Sequence, residues 1–315
     1  MQSGDSTAVL ISALRPGQHV ESVFACTRKD RLFTRSGSPY LALELRDRSG
    51  TIQARAFRDA DALAGRFERG ELVRVSGRVE RFRDQPVLEV VDIARVGADS
   101  DGSDAGFGSG SAADPARFLP TAYRDLDELD GFLEHLAGEV HDRAFGAFLD
   151  GLLQDRELRA ALRRAPCTRG GHHAYLGGLL EHTVAVATLA YEVCQLHQRL
   201  NQDLLITAAL VHDLGRTREF TYGAEIGLTD EGRLLGHLVL GSQMISERAG
   251  MLDEQRRLAL LHCVLSHHGA AAASGGRFGS VEALTLYRLN ALDATVKGAF
   301  EHGLGVETPA RSDAH

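Results

Sequence analysis

Two kinds of apolar spacing divide the chain. Residues 15–96 alternate apolar and polar positions, as half-buried strands do. The alternation is plain in "SPYLALELRD" (38–47), "GTIQARAFRD" (50–59), "ELVRVSGRVERF" (71–82) and "QPVLEVVDIARV" (85–96). Turn signals separate these stretches at Ser36-Gly37-Ser38-Pro39, Asp47-Arg48-Ser49-Gly50 and Arg83-Asp84-Gln85-Pro86. From about 124 to 299 the period changes. Apolar residues recur at three and four in "LDELDGFLEHLAGEV", "YLGGLLEHTVAVATLAYEVCQL", "DLLITAALVHDLG", "LGHLVLGSQMISERAG", "EQRRLALLHCVLSHHG" and "SVEALTLYRLNALDATVKGAF", so the spacing predicts helices. Gly215, Gly250 and Gly269 follow three of them as C′ residues would.

Five or so short strands with one helical insert, near 59–69, predict a small closed barrel of the OB type. The fold class is therefore multidomain α and β, an N-terminal OB-fold barrel followed by an all-α domain. Between them, "GADSDGSDAGFGSGSAAD" (97–114) is rich in Gly, Ser and Asp and predicts a flexible linker. The division expected is a tail over 1–14, the OB-fold over 15–96, a linker over 97–116, the helical domain over 117–299 and a tail over 300–315.

The 315 residues carry a formal net charge of −8, which excludes a general polycation. Between Arg15 and Arg95, however, sixteen Lys and Arg oppose twelve Asp and Glu, a local net charge of +4. Cys26, Cys167, Cys194 and Cys263 share no CxxC spacing, which argues against a zinc knuckle and for a reducing, cytoplasmic setting. The N-terminus reads as no signal peptide, and no apolar run reaches the roughly 18–20 residues of a membrane span.

Nine of the fourteen histidines fall between 172 and 268. Five sit in or beside apolar helical runs: His182, His212, His237 and the pair His267-His268. One buried His is ordinarily a satisfied core residue. Five of them, with the adjacent His212-Asp213 doublet at the end of "ITAALV", make an N/O ligand set. Such a set suits a divalent metal of the Mn²⁺, Fe²⁺ or Zn²⁺ kind. Coordination would satisfy what burial leaves unpaired. The short Asp213 carboxylate, at the helix end, is placed to bridge two ions.

These residues resemble a known family. His182, the His212-Asp213 doublet and a later acidic helical position resemble the H…HD…D pattern of the HD superfamily of metal-dependent phosphohydrolases. "HHAYLGGLLEHT" (172–183), "HDLGRTREF" (212–220), "LTDEGRLLGHLVLGSQMI" (228–245) and "LSHHG" (265–269) are similar to the YhaM-type 3′–5′ exoribonucleases, which also carry an N-terminal OB-fold. The resemblance implies that His182, His212 and Asp213 hold a main ion, Mn²⁺ being the favoured metal. His237 with His267, His268 or both would hold a second. Asn290, or Asp293 one turn on, would complete the first site. Arg216 would contact the scissile phosphate or the leaving group, and His172 and His173 would line the pocket or donate protons. The chain departs from the family pattern at several places, among them Arg216, where the family tends to have Lys. Asn290 and Tyr287 stand where the family has Asp and His, and the loop "AAAASGGRFGS" (270–280) lacks the usual acidic residue and Gly-Ser-Pro.

A strand must also be guided to such a site. Arg28, Lys29, Phe33, Arg35, Tyr40, Arg81 and Arg83 interleave charge with rings, as single-strand-binding OB-folds do. The same rings would equally suit a barrel core. The function expected is a metal-dependent 3′–5′ exoribonuclease acting on single-stranded RNA, and on DNA as a further substrate, to release 5′-mononucleotides. The sequence leaves two alternatives open, a non-catalytic single-strand-binding protein with a degenerate site and a phosphohydrolase of nucleotides. A homo-oligomer is a further expectation.

Overall fold

A computed structural model describes residues 10–96, 115–272 and 276–304. The expected tail up to residue 9, the linker over 97–114 and the tail from 305 lie outside the described residues. The chain forms two compact units. One takes in Met1–Pro120 with Tyr222–Gly227, the other Thr121–Thr221 with Leu228–His315.

The first unit is built on five strands: β1 (His19–Phe33), β2 (Pro39–Asp47), β3 (Gly50–Ala56), β4 (Leu72–Phe82) and β5 (Gln85–Arg95), with the short helix α1 (Ala60–Ala64) between β3 and β4. They close in the order β1-β2-β3-β5-β4, with β4 back on β1. Only the β3–β5 pair is parallel. This is the OB-fold barrel expected. Alternation sets the two faces. Leu41, Leu43 and Leu45 of β2 point into the core with Phe24, Ile52, Val73, Val75, Leu88 and Ile93. The first strand was the least legible one. Its register shifts between Cys26 and Arg28, so its burial does not alternate cleanly.

The second unit is helical: α2 (Leu126–Gly138), α3 (Arg143–Gln154), α4 (Arg156–Arg164), α5 (Gly178–Leu196), α6 (Gln202–Val211), α7 (Arg216–Glu219), α8 (Asp230–Arg248), α9 (Glu254–Ser266) and α10 (Val281–His302). Side-chain caps start most of them. Asp125, Asp142, Asp155, Asn201, Thr229, Asp253 and Ser280 each accept a backbone N–H of the first turn. α5 packs against α2, α4, α6 and α10 and is buried along most of its length.

Two glycines act otherwise than as helix ends. Gly215 is right-handed, with φ −60°, so it is no left-handed C′ residue. A Cβ there would meet the His237 carbonyl oxygen at 2.0 Å, so its bareness lets α8 lie against the His212-Asp213 turn. Gly236, with φ +70° and ψ 165°, breaks α8 immediately before His237. Gly250 also lacks a positive φ, and Gly269, with φ +128°, lies two residues past the His267 cap of α9 rather than at C′.

Candidate metal centre and nucleic-acid face

The helical unit brings together the residues that the sequence singled out. His182 comes from the first turns of α5. His212 and Asp213 end α6, and His237 follows the Gly236 break in α8. His267 and His268 end α9, and Asn290 comes from α10. All but His268 are buried.

Each of four imidazoles is held by its Nδ1. His212 Nδ1 lies 2.8 Å from the Ala209 carbonyl oxygen and His267 Nδ1 lies 2.6 Å from that of Val264. A carbonyl only accepts, so both Nδ1 atoms carry the proton and both Nε2 atoms present lone pairs. His182 Nδ1 is 2.6 Å from Asp293 Oδ2, and His237 Nδ1 is 3.4 Å from Glu219 Oε1. Second-layer acceptors of this kind orient metal-ligating histidines.

The free ring edges converge on Asp213. Its Oδ2 is 3.9 Å from His182 Nε2 and 3.8 Å from His212 Nε2, while its Oδ1 is 3.6 Å from His237 Nε2 and 3.3 Å from His267 Nε2. His182 Nε2 lies 3.1 Å from His212 Nε2 and 3.0 Å from Asn290 Oδ1, and His237 Nε2 lies 2.8 Å from His268 Nε2. Two donor groups thus share one carboxylate. The Cys167 thiol, which the sequence reading left aside, also reaches Asp213 Oδ2 at 3.7 Å.

The residues present fit a divalent cation. Asp213 Oδ1 and His267 Nε2 are buried, face each other and make no hydrogen bond, because both are acceptors. Burial would raise the Asp213 pKa, but the Arg216 guanidinium outweighs it and holds the carboxyl well below the usual range. Burial pushes His212 down to about 3. Arg216 is shared between Asp213 and Glu219, so a further cation is needed to satisfy this carboxylate and the imidazole lone pairs around it. His182, His212, Asp213 and Asn290 would hold one ion, and Asp213, His237, His267 and His268 a second.

Three expectations for the helical unit change. Asp293 stands behind His182. Burial would raise its pKa, but hydrogen bonds from His173 and His182 hold it far below the ordinary value. Asn290 takes the position inside the cluster, fixed by its Nδ2 donating to the His267 carbonyl at 3.3 Å. His173 is no free acid or base. Its Nε2 contacts Asp293 at 3.0 Å, its Nδ1 contacts Tyr175 Oη at 2.9 Å, and it is 1% exposed. Arg216 is buried, its Nη1 donating to Glu219 Oε2 at 2.9 Å, so it stabilises Asp213 and Glu219 from within. His172 keeps a buried Nδ1 without a hydrogen-bond partner, and burial with the nearby histidines pushes its pKa to about 3. Of the altered loop, residues 273–275 lie outside the described residues.

The barrel displays a separate set of rings. Phe33 is 61% exposed beneath the Arg31 guanidinium, and Tyr40 meets the exposed Phe57 at 5.4 Å between centroids. Phe82 lies between Arg55, 4.2 Å from its centroid, and Arg83, 5.4 Å away. Register places Arg55 opposite Ala42, so these groups occupy the outer face of β2 and β3 and the β1–β2 and β4–β5 hairpins. Arg35 is exposed in the first hairpin. Arg28 and Arg81 are paired with Asp30 and Asp84. Lys29 is a correction. It is largely covered, donating to the Phe67 carbonyl and pairing with Glu68, so it ties the barrel rather than facing solvent. Sequence reasoning missed Arg31, Arg55 and Phe57, whose exposure depends on which barrel face each one meets.

Fold and site together define an OB-fold joined to an HD domain. The OB-fold nucleic acid binding domain family matches residues 24–94 and the HD domain family matches residues 179–295. Along most of its length the chain is similar to proteins named 3′-5′ exoribonuclease YhaM. That of Shouchella clausii is 27% identical over 90% of this chain and 85% of its own. That of Bacillus subtilis is 27% identical over 88% and 85%. Among solved structures, a small single-stranded DNA-binding protein from Streptomyces coelicolor aligns with 26% of this chain and 94% of its own, at 18% identity and a TM-score of 0.23. The resemblance drawn from four sequence blocks thus extends across both domains. Among the described residues no helix is long and apolar enough to cross a membrane.

Proposed function

We propose that this chain is a metal-dependent 3′–5′ exoribonuclease that shortens single-stranded RNA, and single-stranded DNA as a secondary substrate, to 5′-mononucleotides. The observation that carries the reading is the Asp213 carboxylate shared by two groups of imidazole donors, within an HD domain whose relatives are named for this activity. Mn²⁺ is the metal to supply first, on the family resemblance. A divalent ion held by these residues would supply Lewis acidity to activate water and positive charge to neutralise the phosphoryl group.

The chain's own residues divide the remaining work. His182, His212, His237, His267, His268 and Asn290 set the positions of the donors, and Asp213 supplies the shared negative charge. Arg216 keeps that carboxylate ionised. His173 and Asp293 fix the His182 ring. In the reaction water adds to phosphorus and the bond to the 3′ oxygen of the preceding nucleotide breaks. That oxygen takes up a proton, and the terminal nucleotide leaves as a 5′-monophosphate. The exposed rings and arginines of the barrel supply stacking and phosphate contacts for the incoming strand. Free, buried cysteines fit a cytoplasmic location. Self-association is the remaining part of the reading.

The test is a time course on 5′-labelled RNA with a single-stranded 3′ tail, in Mn²⁺, beside Asp213→Ala. A ladder shrinking from the 3′ end with the wild type alone is expected. RNA bound but intact would overturn the nuclease reading in favour of a binding protein. Faster turnover of free nucleotides than of RNA would overturn it in favour of a small-molecule phosphohydrolase.

A further inference from the structure

We propose that Cys167 is a ligand of the metal centre, giving the Asp213 Oδ2 side one sulfur donor. This rests on the metal-centre reading above and names a donor outside the H…HD…D pattern. The Cys167 side chain is 0% exposed, and its Sγ, a ring nitrogen of His182 and a carboxylate oxygen of Asp213 all lie within 4.8 Å of one another. The other three cysteines belong to no such group among the described residues.

The backbone holds the thiol in place. Cys167 N donates to the His173 carbonyl at 3.1 Å. Thr168 Oγ1 donates to the His172 carbonyl at 2.8 Å and accepts from Gly171 N at 2.9 Å. A Cβ on Gly178 would meet the His173 carbonyl oxygen at 2.2 Å, so this turn rests directly on the start of α5, one turn from His182. The thiol is therefore delivered to the cluster by a tied loop.

A second observation concerns the other oxygen of the same carboxylate. Asp213 is 3% exposed, with Oδ1 unpartnered, and the His267 Nε2 facing it is unpartnered too. Charge then favours sulfur. On the Oδ2 side Asp213 is the one carboxylate, and its single charge is divided between two groups. The buried Arg216 cation, 3.5 Å from Asp213, draws on that charge as well. A thiolate restores one negative charge. Coordination releases the thiol proton to solvent as the metal–sulfur bond forms. Sulfur in the donor set favours Zn²⁺, Co²⁺ and Fe²⁺ over Mn²⁺, compared with a centre of nitrogen and oxygen alone.

The experiment is an optical titration of metal-free, full-length protein with Co²⁺. The expected result is visible ligand-field bands together with a near-ultraviolet sulfur-to-cobalt charge-transfer band. In Cys167→Ala the visible bands persist, the near-ultraviolet band is lost, and competition between Zn²⁺ and Mn²⁺ shifts toward Mn²⁺. Visible bands without the charge-transfer band in the wild type would overturn the proposal and leave Cys167 a thiol donating weakly to Asp213. No visible bands at all would overturn the metal-centre reading, and this proposal with it. Should the alanine variant fail to fold, the wild-type spectrum still decides, and Cys167→Ser tests whether the band belongs to this residue.

Discussion

Asp293 brings no atom to the face of His182 that the cluster uses, yet it fixes how that ring points. Its Oδ2 accepts from His182 Nδ1 at 2.6 Å, and His173 contacts the same oxygen at 3.0 Å. Removing such a carboxylate typically costs about 10–100-fold in metal affinity. Asp293→Ala is therefore expected to weaken Mn²⁺ binding by about that factor while the circular dichroism of the helices stays unchanged. Calorimetric titration checks this, and equal affinity in the two proteins would show that His182 is oriented by something else. The histidines themselves were legible in the sequence, because a run of imidazoles on apolar helices has no cheap alternative to coordination. The choice between Asn290 and Asp293 was not. They lie one turn apart on α10, and packing alone decides which faces Nε2 of His182 and which faces Nδ1. Cys167 and Glu219 were missed for the same reason. Each is an ordinary residue until the tertiary fold sets it beside Asp213 or His237.

At the scale of elements, the caps show how the helices that carry the site are held. Asp142 Oδ1 accepts from Ala144 N at 2.9 Å and Phe145 N at 3.2 Å, starting α3. Its Oδ2 meets Arg256 Nη2 of α9 at 2.7 Å. The Arg256 hydrogen bonds, followed by those from the α3 backbone, hold the Asp142 pKa below its ordinary value. A carboxylate depressed on folding contributes stability above its unfolded pKa, about 3.9, and loses it as pH falls through the folded value. Asp142→Ala is expected to cost about 1–2 kcal/mol at neutral pH, mostly from the cap, since the ion pair is partly exposed. The difference from wild type should shrink as pH falls below about 4. Urea unfolding at pH 7 and at pH 3 checks both the size and the sign. A gap that widens in acid would mean the carboxylate is not the stabilising form. Such caps can be read from sequence, since Asp precedes an apolar period. The Gly236 break cannot be read in the same way. A glycine inside a helical pattern is silent about whether the backbone continues, and here it does not.

At the scale of the whole molecule, charge and rings are distributed unevenly. The chain is acidic overall, yet the OB-fold sequence is basic, and its outer face carries Phe33, Phe57 and Phe82 in the open. Rings exposed beside arginines add only the small cation–π attraction to barrel stability, whereas stacking on bases uses both features. The alternation in the sequence showed that a barrel forms. It did not show which rings remain outside, because Tyr40 and Phe57 meet only once β2 and β3 are in register. A base stacked on an aromatic ring is worth about 1–3 kcal/mol. Phe57→Ala and Phe82→Ala are each expected to weaken binding of a single-stranded RNA by a factor within that range, measured by fluorescence anisotropy with metal withheld. Salt dependence separates stacking from charge. The phenylalanine variants should keep the wild-type slope of log affinity against log salt, because no phosphate contact is lost. Arg83→Ala should flatten that slope by about 0.7, the value for one single-strand phosphate contact. If both phenylalanine variants bind as tightly as wild type while Arg83→Ala does not, the strand runs over the β4–β5 hairpin by charge alone. The exposed rings would then need another explanation.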